Sequence, residues 1–515
     1  MEAVSRRFTV FVVLCALGVL LGPRFLPMND ASSHIATAVI AKKLVLSDPF
    51  FAAHFHFQPV PLPYWATTLL LVVLGSVLPP LFAWKCLIGM YIVLWPVSLW
   101  ALWRSVHNHT GDEQGIQPPL WPLCALTVFH FGYWMGESNY LLGQPMAFFA
   151  LAAFVRLQTT QSLRFVGFLL LSCAVYLCHI YALTLVLIAA AAWSAVACSQ
   201  RLPGARFRTA HVHGLLCLCG LFALATYFVL AAHGAKQHVG RLQFEPTLYR
   251  LAHMFVDPFD SPNPPQRVVL IGLYAGLLAV FAVGHRRTFL ALLRRQQCTQ
   301  ALGKLVEPGL FFPGLVVLLA AFLGPVSVLT DDGQVKESEI AIRFVLGGFG
   351  LLAMSFKLPA AQSWNSGRGV LLALLCGFSC FQLSSVYGLH LRVGQQAEQI
   401  DQALLAEIPP HSRVLPLMHM PSAVFEDFLL HRFGNYVVLR QSYSPHVFAA
   451  LGQQPLRHIL SGDHRAVSNL SITNREWNDY DYVLLQTNEK LPRSFAPRLE
   501  WMRTQGGFSL WRVRK

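Results

Sequence analysis

Residues 165–198 form one apolar stretch that contains no Asp, Glu, Lys or Arg. A transmembrane helix needs about 20 apolar residues, within a range of about 17 to 25, so the stretch is too long for one crossing. We expect two helices with a break at Cys178-His179, which places the histidine at a membrane surface. The whole chain is only 12% charged, whereas a soluble protein carries about 25% charged residues. This composition predicts a polytopic membrane protein and excludes ordinary soluble enzymes.

The hydropathy pattern predicts about eleven transmembrane helices. The expected spans are residues 8–26, 81–103, 119–135, 143–157, 164–179, 181–198, 212–232, 267–284, 308–329, 341–357 and 369–389. No Ala-x-Ala-like cleavage site follows the first span, so we expect a retained signal anchor instead of a cleaved signal peptide. The apolar segment Tyr64–Leu78 is short and bounded by prolines. We expect it to form a juxtamembrane or re-entrant helix.

The loop charges set the expected orientation. If Tyr64–Leu78 does not cross, 15 of the 25 Lys and Arg residues in positions 1–389 lie on the side of the N-terminus. If it does cross, the basic cluster Arg286–Lys304 faces outside, against the positive-inside rule. We therefore expect a cytoplasmic N-terminus and an extracytoplasmic, periplasmic C-terminus. The expected setting is a bacterial inner membrane, with an endoplasmic reticulum membrane as the alternative. The net charge of +14 is then a topology signal, and no nucleic-acid partner is expected.

The chain is expected to contain two domains, a transmembrane domain at 1–389 and a soluble α/β domain at 390–515. The charge content rises after residue 390, and all 11 cysteines lie between Cys15 and Cys380. Short β-rich runs occur at residues 413–417, 436–439, 481–485 and 508–513, between turn and helix signals. No motif in this region indicates catalysis, and acceptor recognition or a partner contact is its expected role.

Acidic residues mark the first candidate site. Ten of the 14 acids in positions 1–389 fall in loops expected on the outer face, and carboxylates near a bilayer are costly unless they are solvated or paired. Asp30 follows the first span, and His34 lies four positions later on the same face of an expected amphipathic interface helix, Ile35–Leu46. Asp30 is predicted to be a general base or a metal-proximal carboxylate. The alternative is that it only caps the helix.

Further candidates lie in the other outer loops. Glu137 is the only acid between Glu113 and Glu245, and we expect it to contact substrate, with simple loop solvation as the alternative. Asn139 and Tyr140 of the same loop are expected substrate contacts. The remaining candidates are histidines with a structural role as the alternative. They are His54 and His56, which have no third metal ligand at a set spacing, and His179.

Three cations are candidate phosphate ligands. Lys236 and Arg241 lie in the long outer loop 233–266, and Arg343 stands at the outer start of a later span. Arginine suits bidentate binding of phosphate. Contact with lipid headgroups is the alternative for these side chains.

In these features the chain resembles the GT-C class of polyprenyl-phosphate-sugar-dependent glycosyltransferases, such as protein O-mannosyltransferases and lipid A aminoarabinose transferases. The resemblance rests on Asp30 after the first span, the proline-rich exit Gln58–Pro63 of the first outer loop, a seven-span module before a long outer loop, and Arg343 opening a later span. It implies that Asp30 is the base that activates the acceptor and that Glu137 is a second acidic contact. It also implies that Arg343, with Lys236 or Arg241, binds the donor phosphate.

The implied reaction is inverting transfer from a polyprenyl-phosphate sugar to a glycan, lipid or protein acceptor in contact with membrane lipids. Ala31 stands where many members have a second acid, which leaves the need for a divalent metal open. No nucleotide cofactor is expected, because the chain has no Gly-rich phosphate loop. The alternative is a transporter or lipid-linked-glycan handling protein that catalyses no reaction. Such a protein is expected to place polar residues inside its spans and to contain an inverted repeat, whereas the charges here lie at span ends.

Overall fold

The computed structural model describes residues 2–58, 63–107, 127–158, 160–199, 208–232, 242–244, 271–272, 306–325, 327–329, 335–337, 340, 342–356, 365–418, 429–447, 456–458, 479–486 and 498–515. These residues are mostly helical, with small β-sheets. The chain divides into two compact units. Unit 1 comprises Met1–Leu17, Met90–Gly132 and Tyr140–Ser385, and unit 2 comprises Gly18–Gly89, Tyr133–Asn139 and Val386–Lys515. The predicted domains 1–389 and 390–515 are a different partition and stay a prediction.

The described α-helices are α1 (Glu2–Leu21), α2 (Ala31–Val45), α3 (Pro49–Ala52), α4 (Trp65–Val77), α5 (Pro80–His107), α6 (Phe131–Met135), α7 (Ser138–Val155), α8 (Leu163–Cys178), α9 (Ile180–Ser199), α10 (Thr209–Ala232), α11 (Pro308–Leu323), α12 (Ile342–Ser355) and α13 (Asn365–Ala403). Short 3-10 helices span Thr127–Phe129, Leu405–Glu407 and Phe433–Arg440.

The number of helices that can span a membrane is smaller than predicted. Within the described ranges, five helices are long and apolar enough: Pro80–His107, Ser138–Val155, Ile180–Cys198, Thr209–Phe228 and Ala373–Glu407. Five shorter apolar helices are Arg7–Leu21, Trp65–Val77, Leu163–Cys178, Pro308–Leu323 and Arg343–Ser355. A helical membrane protein is therefore confirmed, but the helices of the described residues do not fit the predicted count of about eleven spans.

Most of the difference is in helix length, because the predicted spans 8–26, 164–179, 308–329 and 341–357 correspond to the shorter apolar helices Arg7–Leu21, Leu163–Cys178, Pro308–Leu323 and Arg343–Ser355. The end of the predicted span 119–135 forms the 3-10 helix Thr127–Phe129 and the short helix α6, and its aromatic residues Phe129, Tyr133 and Trp134 are buried. The end of the predicted span 308–329 is a strand. The predicted span 267–284 lies outside the described residues except for 271–272.

The predicted break in the apolar stretch 165–198 is confirmed. Helix α8 ends at Cys178 and α9 begins at Ile180, with His179 extended between them. The ring nitrogen Nδ1 of His179 accepts a hydrogen bond from the amide of Tyr181, which satisfies a donor in the first turn of α9. Helix α4 has 13 residues, so its length of about 20 Å falls short of a hydrocarbon core of about 30 Å. Its juxtamembrane or re-entrant placement stays a prediction.

Unit 2 joins the first loop to the C-terminal region. Strand β1 (Phe55–Phe57) pairs antiparallel with β6 (Leu456–His458). A four-stranded sheet has the order β5-β7-β9-β8, with β5 parallel to β7 and the other pairs antiparallel. Its strands are β5 (Val414–Met418), β7 (Tyr482–Gln486), β8 (Leu499–Gln505) and β9 (Phe508–Val513). Phe51 and Phe55 share one hydrophobic core with Leu415, Val438 and Val483.

The predicted strand at 436–439 is wrong, because these residues belong to the 3-10 helix Phe433–Arg440. A short apolar run does not distinguish a strand from a helical segment, and here Val437 and Val438 are buried in a helical turn against α2. The predicted strands near 413, 481 and 508 are confirmed.

Unit 1 packs its helices closely. Helix α11 contacts both α9 and α12. A Cβ atom at Gly314 would lie 3.1 Å from the carbonyl oxygen of Gly348, so glycine permits this approach of α11 and α12. A three-stranded sheet of β2 (Leu242–Gln243), β3 (Ser327–Leu329) and β4 (Val335–Glu337) also belongs to this unit.

Candidate functional site

Asp30 stands at the N-terminal end of α2, where its side chain makes no capping hydrogen bond. Its Oδ1 atom instead lies 3.1 Å from the Nε atom of Arg432, and the Asp30 side chain is only 15% exposed. The carbonyl of Asp30 accepts a hydrogen bond from the amide of His34, and this bond closes the first turn of α2. The carboxylate predicted to act as a base is therefore held in an ion pair in a mostly buried setting.

The loop that carries Glu137 lies directly against Asp30. The amide of Asn29 donates to the carbonyl of Trp134 over 3.0 Å, and the amide of Asp30 donates to the carbonyl of Met135 over 2.9 Å. Gly136 has a φ of +74°, and a Cβ atom there would lie 3.1 Å from the amide nitrogen of Asp30. Glycine tolerates both the backbone angle and the approach. The structure thus places the two predicted acids on adjoining segments of backbone.

His34 is buried one turn after Asp30 in α2. Its ring stacks on Trp84, with centroids 5.7 Å apart and an interplanar angle of 18°. Burial, together with the charge of Arg432, lowers the pKa of His34 to about 3. The imidazole is therefore neutral at neutral pH and presents a hydrogen-bonding group without a charge.

The C-terminal region holds the first turn of α2 through hydrogen bonds with Ser32 and Ser33. Ser32 donates its hydroxyl to the carbonyl of Arg432. Asn435 donates its amide to the hydroxyl oxygen of Ser33 over 2.8 Å and to the carbonyl of His446 over 3.2 Å, and it accepts from Ser444 over 2.7 Å. This network fixes the segment that contains Asp30 and His34.

Several polar atoms in the same unit are buried without a hydrogen-bond partner among the described residues. They include Asn29 Oδ1, Thr67 Oγ1, Trp84 Nε1, Trp134 Nε1 and Ser138 Oγ. Asn29 and Trp134 meet through the backbone beside Asp30, and Trp84 stacks on His34. Buried polar groups in folded proteins nearly always have partners. A ligand rich in hydroxyl groups, such as a sugar, supplies partners of this kind.

The remaining candidates in unit 2 have other surroundings. The Oδ1 atom of Asn139 accepts from the amide of Thr67 over 3.0 Å and so holds the first turn of α4. His54 packs on the ring of Tyr443, with centroids 4.5 Å apart, and burial, with the charge of Arg413, lowers its pKa. His56 is exposed within β1. In the described ranges no three His, Cys, Asp or Glu side chains form a group that could hold a metal.

A second cluster, in unit 1, brings together Tyr140, His179 and Arg343. The hydroxyl of Tyr140 donates to the carbonyl of Arg343 over 2.6 Å, and the rings of Tyr140 and His179 are 5.8 Å apart. The guanidinium of Arg343 lies over the ring of Tyr181 at 5.1 Å. Burial and the charge of Arg343 hold the pKa of His179 well below its ordinary value. The aromatic surroundings orient the arginine at the start of α12. Lys236 and Arg241 lie outside the described residues.

Sequence patterns alone do not mark Arg432 or Trp84 as site residues. Arg432 belongs to the C-terminal region, and no local pattern links it to a carboxylate near the N-terminus. Trp84 lies in an apolar helix, where a tryptophan is expected as a packing residue. Only the packing of unit 2 reveals their contacts with Asp30 and His34.

No protein family model, no curated protein and no solved structure matches this chain.

Proposed function

We propose that this protein is an integral-membrane glycosyltransferase of GT-C-like architecture that uses a polyprenyl-phosphate-linked sugar as its donor. The observation that carries the proposal is the contact of Asp30 with the loop that ends at Glu137, in which the amide of Asp30 donates to the carbonyl of Met135 over 2.9 Å. A reaction that takes a proton from an acceptor needs a positioned general base, and a held carboxylate is one group that serves in this role. A sugar also needs nearby polar partners, and both requirements are met around Asp30.

In the proposed reaction, Asp30 takes the proton from a hydroxyl or amine of the acceptor. The acceptor atom then attacks the anomeric carbon of the sugar on the face opposite the phosphate, and the bond from that carbon to the phosphate oxygen breaks. The polyprenyl phosphate leaves with the bonding electron pair. Glu137 contacts the sugar or acceptor as a second acid. His34 is neutral at neutral pH and offers a further hydrogen bond to the substrate.

The donor phosphate gains negative charge as it leaves, and cations stabilise that charge. We assign this role to Arg343, together with Lys236 or Arg241. The support for Arg343 is its fixed position, since Tyr140 and Gln144 both donate to its carbonyl and Tyr181 lies under its guanidinium. His179 and Tyr140 then contact the donor from the same cluster.

The proposal includes an orientation. We place the N-terminus in the cytoplasm and the C-terminal region in the periplasm of a bacterial inner membrane, because the basic residues concentrate on the N-terminal side of the spans that the hydropathy pattern predicts. Helix α4, which is too short to span a bilayer, lies at the outer surface in this arrangement. The sugar is transferred on that outer side to a glycan, lipid or protein acceptor.

The test is release of polyprenyl phosphate by the purified protein in lipid nanodiscs. A panel of C55 polyprenyl-phosphate sugars is supplied with an extract of membrane acceptors, and the lipid product is quantified by mass spectrometry. We expect release from one or more donors, and Arg343→Gln is expected to raise the KM for that donor. Donor binding without release from any member of the panel would favour the alternative of a lipid-linked-glycan handling protein.

A further inference from the structure

A groove of about 260 Å³ lies in unit 2 between α2, α4 and the beginning of α5. Its walls are mostly apolar and include Ile35, Val39, Leu71 and Ala83. Two cations, Lys42 and Lys43, line it near the C-terminal end of α2. The groove therefore combines a surface for a hydrocarbon chain with a positively charged end.

Exposed apolar side chains lie on both helices that line most of the groove. On α4, Leu69, Val73 and Val77 recur at helical spacing and are exposed, with Val73 at 67% and Val77 at 81%. Val45 and Leu46 at the end of α2 are exposed as well, and Leu46 also lines the groove. Exposed apolar side chains of this kind are unfavourable in water and are accommodated by the hydrocarbon of a bilayer. Because Leu46 is both exposed and part of the groove wall, a lipid chain has access to the groove at this end of α2.

The lysines give the groove a net positive charge. Lys42 donates to the carbonyl of Gly75 over 2.6 Å, and within the described part of the chain it pairs with no carboxylate. Lys43 lies 3.2 Å from Asp48 Oδ2, so its charge is largely balanced. One uncompensated ammonium beside an apolar groove complements a lipid with an anionic phosphate headgroup.

We infer that this groove binds an anionic glycerophospholipid, with an acyl chain along α2 and α4 and the phosphate at Lys42 and Lys43. Asp30 and Lys42 stand at opposite ends of α2, twelve residues apart, which corresponds to about 18 Å along the helix axis. A phosphate at Lys42 is thus too distant for its attached group to react at Asp30. The bound lipid is a resident of the fold and not the sugar donor.

Native mass spectrometry of the full chain tests this inference. The probes are dioleoyl phosphatidylglycerol, dioleoyl phosphatidylcholine and inorganic phosphate. We expect one phosphatidylglycerol to be retained at least tenfold more tightly than phosphatidylcholine, and we expect inorganic phosphate not to displace it. Equal retention of the two lipids, or displacement by inorganic phosphate, would overturn the inference.

Two variants locate the site. Gly75→Leu places a side chain in the groove, because nothing lies within 4 Å of a Cβ atom there. Gly167→Leu on α8 is the matched control, since nothing lies within 4 Å of its Cβ position either. We expect Gly75→Leu to lose phosphatidylglycerol at least tenfold and the control to retain it. Retention by Gly75→Leu at the wild-type level contradicts the inference.

The headgroup end is tested separately by the double variant Lys42→Gln and Lys43→Gln, which leaves the apolar walls intact. We expect it to lose the preference for phosphatidylglycerol over phosphatidylcholine, and an unchanged preference contradicts the assignment of the phosphate. Asp30→Asn is expected to keep the bound lipid. The outcome is therefore independent of whether the protein transfers sugar.

Discussion

Arg432 forms an ion pair with Asp30, with its Nε atom 3.1 Å from Oδ1. The two residues lie near opposite ends of the sequence, and the pair is reinforced by the hydrogen bond from Ser32 to the carbonyl of Arg432. The C-terminal region therefore forms part of the immediate surroundings of Asp30, the candidate base. Changes in this region are expected to alter both the stability of unit 2 and the chemistry at Asp30.

Replacing Arg432 by Gln removes the charge that faces Asp30. We expect a loss of about 1 to 2 kcal/mol in the free energy of unfolding, because the pair is only partly shielded from solvent. The donor-dependent release of polyprenyl phosphate is also expected to fall. Arg503→Gln is the matched control, since Arg503 pairs with Glu407 at a more exposed position. Its expected cost is below about 1 kcal/mol, and equal losses in chemical denaturation of the two variants would contradict the account.

Gly136→Ala is expected to disturb the contact between Asp30 and the loop that carries Glu137. The residue has a φ of +74°, and its Cβ would meet backbone atoms of Asp30 and Ala31 at 3.1 and 3.2 Å. We expect a cost of about 1 to 3 kcal/mol and a reduced release of polyprenyl phosphate. In Gly18→Ala the new Cβ meets nothing within 4 Å, so stability is expected to stay level or rise. Wild-type activity and stability in Gly136→Ala would show that this close approach is unimportant.

The sequence predicted the membrane class and several local features. Its predictions were wrong or incomplete where contacts between distant segments determine the local structure or the surroundings of a side chain. The break at His179 was predictable for two reasons. An apolar stretch of 34 residues is too long for one transmembrane helix. A histidine in the stretch can also accept a hydrogen bond from a nearby backbone amide, as His179 does from Tyr181. Asp30 and Glu137 are both predicted as site residues on the outer face, in two separate loops, but the close approach of Gly136 to the backbone of Asp30 leaves no signal in the sequence.

The misses have physical causes. The run at 436–439 was assigned to a strand because its residues have high β-propensity, yet packing of Val437 and Val438 selects a 3-10 helix. Arg432 was not singled out, since pairing with Asp30 depends on how unit 2 folds and leaves no local pattern. Among the described residues, several apolar runs form helices shorter than a full span, and the run that ends at residue 135 is divided into short helices in which Tyr133 and Trp134 are buried.

The low pKa of His34 predicts a pH dependence of stability. Burial lowers this pKa to about 3, whereas a histidine in an unfolded chain titrates near about 6.5. Between these values the unfolded chain binds more protons, so stability is present above about pH 6.5 and decreases as the pH falls, by at most about 1.4 kcal/mol per pH unit for one such group. The variant His34→Phe keeps an aromatic ring against Trp84 and removes the group that titrates.

The measurement is the thermal unfolding midpoint at about pH 7 and about pH 5, a range chosen to fall within the titration window of His34. We expect the midpoint of His34→Phe to drop less than that of the wild type between the two conditions. His56→Phe, at an exposed position in β1, is expected to behave as the wild type does. An equal drop in all three proteins would contradict the assigned burial of His34.

Asn435 is the centre of the network that holds the start of α2. Asn435→Ala removes a donor to Ser33 and an acceptor for Ser444 in a buried environment. We expect a loss of about 2 to 4 kcal/mol in the free energy of unfolding. Gln505→Ala, which removes an exposed hydrogen bond to Gln399, is expected to cost less than about 0.5 kcal/mol. Chemical denaturation of both variants checks the difference, and similar costs would show that the network contributes little.

The central claim, that Asp30 is the base of a sugar transfer, is tested most directly by comparing two aspartates of the same unit. Asp48 caps α3 through the amides of Phe50 and Phe51, and asparagine retains an oxygen for that role. We expect Asp48→Asn to release polyprenyl phosphate from the donor at the wild-type rate. Asp30→Asn is expected to be slower by about 100-fold or more while it remains folded in the membrane. Release at the wild-type rate by Asp30→Asn would contradict the account.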